Sequence, residues 1–305
     1  MKKIRGALSL TLAALIWGTA FVAQSLGMDH IGPFTFNSAR NFIGCIVLLP
    51  VIFLLRRRND PAKAQGAAQH YRKTLWVGGV ICGTILAVAA SLQQIGIQFT
   101  TVGKAGFLTA LYIVLVPIAG LLFGKRVPAA VWVSVVIAAA GTYLLSIKEG
   151  FSIGTGDLFV ILCALGFTAH ILAVDHFSPQ VSGVELSCIQ FPTAGVLSGI
   201  AALVTEAPTL QNVWLSIGPL LYTGVLSSGV AYTLQVVGQK DTPPAVASLL
   251  MSLESVFAAL SGWLILQQQM SGREAFGCVL VFAAVILAQL PLSAIRAKLS
   301  RKKAV

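Results

Sequence analysis

The chain has 305 residues, 56% of them hydrophobic and only 10% charged, and its formal net charge is +11. A soluble domain carries about a quarter charged residues, so the composition excludes a soluble globular enzyme or binding module and points to an all-α integral membrane protein. The positive balance does not point to nucleic acid, because the basic residues sit in short connections and at the two ends, where they set topology.

Ten apolar segments have spanning length, at about 7–27, 33–55, 75–98, 102–123, 129–147, 156–174, 184–205, 213–236, 242–266 and 274–293. The first follows Met1-Lys2-Lys3-Ile4-Arg5 like a signal peptide, but its apolar run is long for one and reads as an uncleaved first span. Pro33, Pro128, Pro243 and Pro244 stand at proposed helix starts, where a missing N–H costs little. The longest polar connection is 56–74. Ten spans bring both termini to one side. With that side as the cytoplasm, 17 of the 21 Lys and Arg residues are cytoplasmic. Lys104, Lys148 and Arg273 fall on the opposite side, and Arg40 lies within a span. This asymmetry supports the ten-span topology in a cell membrane.

Cys45, Cys82, Cys163, Cys188 and Cys278 each fall inside an apolar run, with no CxxC pair and no Cys/His cluster. They read as small buried hydrophobes rather than disulfides or metal ligands. There is no HExxH and no phosphate-binding Gly loop, so neither a metal nor another cofactor is expected, and ATP-driven transport is disfavoured.

The chain also repeats itself. At a constant shift of 142, Leu92 meets Leu234, Gln93 meets Gln235, Gly96 meets Gly238, Thr100 meets Thr242, Ala105 meets Ala247 and Gly120 meets Gly262. Spans 1 and 6 align less well, with Gly18 over Gly166 at a shift of 148. Each half, 1–149 and 150–305, then holds five spans. Five is odd, so the second half enters the membrane in the opposite sense. Two inverted five-helix repeats place a substrate site near the midplane between the halves. On this alignment Tyr112 is the partner of Glu254.

The stretches AALIWGTAFVA (13–23), FNSARNFIG (36–44), TTVGKAGFLTALYIVLVP (100–117) and SLLMSLESVFAALSGWLIL (248–266) resemble the EamA family of the drug/metabolite transporter superfamily. The likeness covers nearly the whole chain. It implies a ten-helix secondary transporter of a small organic metabolite, an amino acid or similar solute, with export as the expected direction and a bacterial source. Relatives often carry Leu-Glu-Pro where this chain has Leu253-Glu254-Ser255, so the kink-forming proline is absent here.

Glu254 lies about 12 residues into its span, roughly 18 Å at ~1.5 Å per residue, near the middle of the hydrocarbon layer. Such a carboxyl is a protonatable site or a pole for a substrate amine, or it is a structural acid among the small residues Ala247, Ser248, Ser252, Ser255 and Ala258. Arg40 is a carboxylate-binding or gating residue, or it snorkels to the outer interface. Lys104 is an interface anchor or an attractor of anions at the cavity mouth. His170 relays protons or contacts substrate, or makes an interhelical hydrogen bond. Gln93, Gln235, Asn37, Tyr112, Tyr232 and Trp17 complete the candidate lining. Their donors, acceptors and rings suit a small zwitterionic or amphipathic solute better than a bare ion. The expected partners are that solute and the bilayer, with proton coupling through Glu254 or His170 as a subsidiary expectation. A monomer and a homodimer both remain open. The competing class is an uncoupled facilitator of the same fold or, further off, a membrane enzyme or scaffold. The last two lack support, because no paired catalytic groups sit at one depth.

Overall fold

The computed structural model describes residues 2–58, 65–100, 102–146, 153–265 and 270–289, and every regular element among them is helical. Of the basic residues counted above, Lys63, Lys148 and those beyond 290 lie outside the described residues. The first five spans are α1 (Lys2–Gly27), α2 (Pro33–Arg58), α3 (Gln65–Ile97), the interrupted α4 (Val102–Thr109) and α5 (Tyr112–Leu122), and α6 (Ala129–Ser146). The last five are α7 (Thr155–Phe177), α8 (Gly183–Thr205), a third composite span, the interrupted α12 (Pro244–Met251) and α13 (Leu253–Ile265), and α14 (Gly272–Gln289). The composite span follows the short α9 (Leu210–Leu215) and joins α10 (Ile217–Leu221), a π-helical stretch (Tyr222–Tyr232) and α11 (Thr233–Gln239). Ten of these helices, with interrupted ones counted once, are long and apolar enough to cross a membrane. A helix satisfies its own backbone groups, which is the condition for crossing lipid.

Helix ends follow local chemistry. Pro33 opens α2 and Pro244 opens α12, where no N–H is needed. Gly124, at φ 71°, closes α5 in the left-handed conformation. Its N–H bonds Leu121 O at 2.9 Å and the next N–H, of Lys125, bonds Gly120 O at 2.9 Å, a Schellman stop. The stretch expected as a long polar loop at 56–74 is largely helical, because α2 runs to Arg58 and α3 starts at Gln65. Ala, Gln, Lys and Arg favour helix whether or not they lie in lipid, so apolarity alone marked the membrane part and missed the extension.

Both interruptions fall where the shift of 142 predicts equivalent positions, yet they are made differently. At 110–111 the chain tightens through short-range bonds, Ile113 N to Ala110 O at 2.9 Å and Val114 N to Leu111 O at 3.0 Å. Pro117, inside α5, offers no N–H to Ile113 O. At 252 two serine hydroxyls turn back on the chain, Ser248 Oγ to Ala245 O at 3.0 Å and Ser252 Oγ to Leu249 O at 2.8 Å. Side-chain bonds of this kind compete with the helical ladder. The break therefore forms beside Glu254 with Ser255, not a proline, next in the chain.

Spans 1 and 6 correspond at a shift of 150, not 148. The turns 28–32 and 178–182 have the same backbone pattern and join helices that end at Gly27 and Phe177 and begin at Pro33 and Gly183. Gly18 and Gly166, paired in the earlier register, meet unrelated neighbours. Gly18 faces the backbone of α13 and Gly166 faces Ala89 on α3.

The core gathers the inner faces of α1, α3 to α7, α12, α13 and α14, while Leu122, Leu203, Val204 and Val136 stand outward. Apolar side chains on the outside are what a bilayer-facing surface requires. The last five spans pack against the first five throughout: α2 on α8, α3 on α7, α6 on α14, and α1 on the π stretch and on α12–α13.

Candidate functional site

A cleft lies where these inter-half contacts meet. Trp17, Phe21, Gln24, Arg40, Gln93, Thr109 and Tyr112 line it from the first half, and Phe167, Ile171, Ser227, Tyr232, Gln235, Met251 and Glu254 from the second. Ten of these fourteen residues form five position-equivalent pairs. Gln93 and Gln235, Thr109 and Met251, and Tyr112 and Glu254 are 142 apart. Trp17 and Phe167, and Phe21 and Ile171, are 150 apart. The remaining four, Gln24, Arg40, Ser227 and Tyr232, have no counterpart on the wall.

Glu254 stands at the first turn of α13, just past the serine-made break, and is 4% exposed. Its Oε1 accepts a hydrogen bond of 3.0 Å from the hydroxyl of Tyr112, which stands at the matching point just past the other break. The partner assigned from the sequence repeat is thus its bonded neighbour.

Arg40 does not snorkel. It is 2% exposed, donates from Nη1 to Gln24 Oε1 at 3.2 Å and lies 5.9 Å from the Phe36 ring centroid. Its Nε has no protein partner, and neither has Gln235 Oε1. Buried polar groups without partners are uncommon, and both belong to side chains on the cleft wall. Gln235 is oriented by Gln239, at 2.9 Å, and Gln239 in turn donates to Ile171 O at 3.1 Å. Gln93 donates to Thr109 Oγ1 at 3.1 Å.

The aromatic wall is braced from behind. The Tyr232 ring stands edge-on to Trp17 at 4.8 Å, to His170 at 5.9 Å and to Phe191 at 6.3 Å between centroids. Trp17 Nε1 donates to Ser227 O at 3.3 Å, within the π stretch. A π-helical stretch often marks a functional position, and here its end carries Tyr232 to the cleft.

Three candidates from the sequence are elsewhere. His170 is fully buried behind Tyr232, with Nε2 3.2 Å from Gln190 Oε1, and it does not reach the cleft. Asn37 is fully buried off the wall, with neither side-chain polar atom partnered. Lys104 is held at the start of α7: its Nζ is 2.5 Å from Asp157 Oδ2, and Asp157 also accepts from Thr100 Oγ1 at 2.7 Å and from Gly154 N at 2.6 Å. It is not among the residues that line the cleft. Among the described residues no group of three or more His, Cys, Asp or Glu side chains is placed to hold a metal ion.

The model of the EamA-like transporter family matches this chain twice, over residues 4–147 and 154–290. The chain belongs to the EamA-like transporter family. Each match contains five of the ten spans, and the cleft lies between the two. An uncharacterized transporter of Archaeoglobus fulgidus is 32% identical over 291 residues, 95% of this chain and 87% of its own length. The uncharacterized transporter YoaV of Bacillus subtilis is 22% identical, covering 94% of this chain and 96% of its own. A crystal structure with 21% identity superposes over 96% of this chain and 98% of its own, with a TM-score of 0.74, so the two share a fold. The protein is thus a multi-pass membrane protein of a transporter family.

Proposed function

We propose that this EamA-like protein is a secondary transporter that moves a small organic solute by alternating access through the cleft, between two inverted repeats at 1–149 and 150–305. The observation that carries the reading is the wall itself, five pairs of equivalent positions from the two family matches. A site shared by inverted halves is the arrangement that lets one rocking motion expose it to either side in turn.

The chemistry of the wall supports an amino acid or similar zwitterion. Arg40, with Nε free of protein partners, suits a carboxylate. Glu254 and Gln235 Oε1 suit an amine, and Trp17 and Tyr232 offer ring faces to an apolar body. Export is carried over from the family resemblance. The 17 basic residues assigned to one side support a cell-membrane topology with both termini in the cytoplasm. In this reading Glu254, not His170, is the site of proton coupling, because Glu254 is on the cleft and His170 is not.

A thermal-shift screen of the detergent-purified protein against amino acids, nucleosides and small amines identifies the solute, and flux in vesicles follows. Glu254→Gln is expected to abolish flux driven by a pH gradient while eluting from a sizing column as the parent does. Undiminished, normally pH-dependent flux in that variant sinks the coupled reading, and flux that never responds to a pH gradient in the parent identifies an uncoupled facilitator.

A further inference from the structure

The two helices related by the shift of 150, α1 and α7, each pack on one of the two interrupted helices related by the shift of 142. Helix α7 packs on α4–α5, and α1 packs on α12–α13. These joints are counterparts, yet they are built in opposite ways.

The α7 joint is pinned at both ends. At one face Asp157 holds Lys104, at 2.5 Å, together with Thr100. At the other face Asp175 holds Lys125. The two aspartates are 18 residues apart on one helix, about 27 Å at ~1.5 Å per residue, so the pins lie on opposite sides of the bilayer. The equivalent positions in the α1 joint are Ala7 for Asp157, Val246 for Lys104 and Ser25 for Asp175, none of them charged. Among the described residues no side-chain hydrogen bond joins α1 to α12–α13. Contact there is close at one glycine: a Cβ on Gly18 would lie 2.5 Å from Glu254 O, 2.7 Å from Phe257 Cβ and 2.8 Å from Ala258 N. The side-chain bonds of α1 to other helices run instead to the π stretch, from Trp17 to Ser227 O and between Thr19 and Tyr222, and to α2, where Gln24 accepts from Arg40.

We propose that the α1 joint is the sliding seam of the molecule and the α7 joint a closed strut. Helix α1 and the π stretch move as one body against α13 at the level of Glu254, and this motion opens the cleft. Helices α4, α5 and α7 stay together throughout. Contact without a side-chain hydrogen bond or charge pair permits sliding, whereas Asp157, whose side chain is 3% exposed, resists separation because its carboxylate would give up Lys104 and Thr100 together. The inference rests on the cleft being the solute path.

The test needs no solute. In a background with the five native cysteines replaced, Ser227→Cys on the cleft wall reports water access through labelling by a membrane-impermeant maleimide from each side of right-side-out and inverted vesicles. One disulfide tether joins Lys104→Cys to Asp157→Cys, and the counterpart tether joins Ala7→Cys to Val246→Cys. Each is closed with an oxidant before labelling. The strut tether is expected to leave labelling from both sides within about twofold of the untethered protein, and the seam tether to lower it about tenfold or more from at least one side. Equal sensitivity to the two tethers, or loss with the strut tether alone, overturns the inference. Labelling from neither side in the untethered protein overturns the transport reading and the inference with it. If Lys104→Cys/Asp157→Cys does not assemble, Lys125→Cys with Asp175→Cys tethers the other end of the same strut.

Discussion

The interrupted helices α4–α5 and α12–α13 occupy equivalent places and break at equivalent points, but they are supported from different directions. The first is fixed from outside, by lysine–aspartate pairs to α7 near its two ends. The second is shaped from within, by its own serines, and is flanked by a glycine that brings α1 onto its backbone. The lesson is that a shared backbone geometry does not require a shared cause. A break once made by one set of local bonds can be kept by another, so long as the residue just past it still projects into the cleft.

Four substitutions separate external pinning from internal shaping. Asp157→Ala has the largest expected effect, a loss of about 2–4 kcal/mol, because it removes at once the acceptor of Lys104 Nζ, Thr100 Oγ1 and Gly154 N. Chemical unfolding in detergent measures it, and a loss below that of the other three variants refutes the role of external pinning. Gly18→Val forces a side chain against the backbone of α13 and is expected to cost up to about 3 kcal/mol, the upper end for overpacking. The check is a thermal melt, in which an unchanged midpoint would mean that α1 already stands off α13. Tyr112→Phe removes the donor to Glu254 and leaves a buried carboxyl oxygen unsatisfied, for a loss of about 1–2 kcal/mol. A double-mutant cycle with Glu254→Gln isolates that bond. Lys125→Ala is the smallest. Its side chain is 43% exposed, so its pair with Asp175 is screened and contributes about 0.2–1 kcal/mol. If Lys125→Ala matched Asp157→Ala, the two ends of the joint would be equally dry, contrary to their exposure.

Much of this was legible in the sequence, for identifiable reasons. Apolar length alone yields the ten spans, because lipid leaves a spanning helix little freedom in composition. The shift of 142 survives in Gln, Gly and Thr matches, and it put Tyr112 opposite Glu254 before any contact was known. Trp17 was singled out as an aromatic in a span, but its counterpart Phe167 stayed hidden, because the 148 register slipped two residues from the turns that fix 150. Gln24 gave a usable signal, a polar residue within an apolar run. Ser227 gave none, since nothing in its local sequence marks the π stretch, whose glycines lie against Ile43, Val47 and Arg40 of α2. Lys104 read as an interface residue because its acid is 53 positions away. Only the meeting of two helix starts at one face joins them, and pairing of that kind leaves no local pattern.

The hydrogen bond between Tyr112 and Glu254 has a consequence for how the gene came to its present form. On the inverted-repeat reading, two residues at equivalent positions touch only on the axis that relates the halves. In an ancestor made of two separate copies of one half, the same residue would have faced itself there. Two tyrosines can share such a point, as donor and acceptor, but two carboxylates repel unless they hold a proton between them. An acid on one side and a phenol on the other cannot be encoded by a single half-length gene. On that reading the pair, which holds the one acid among the described residues of the wall, could arise only after duplication had let the two sides of the axis evolve apart.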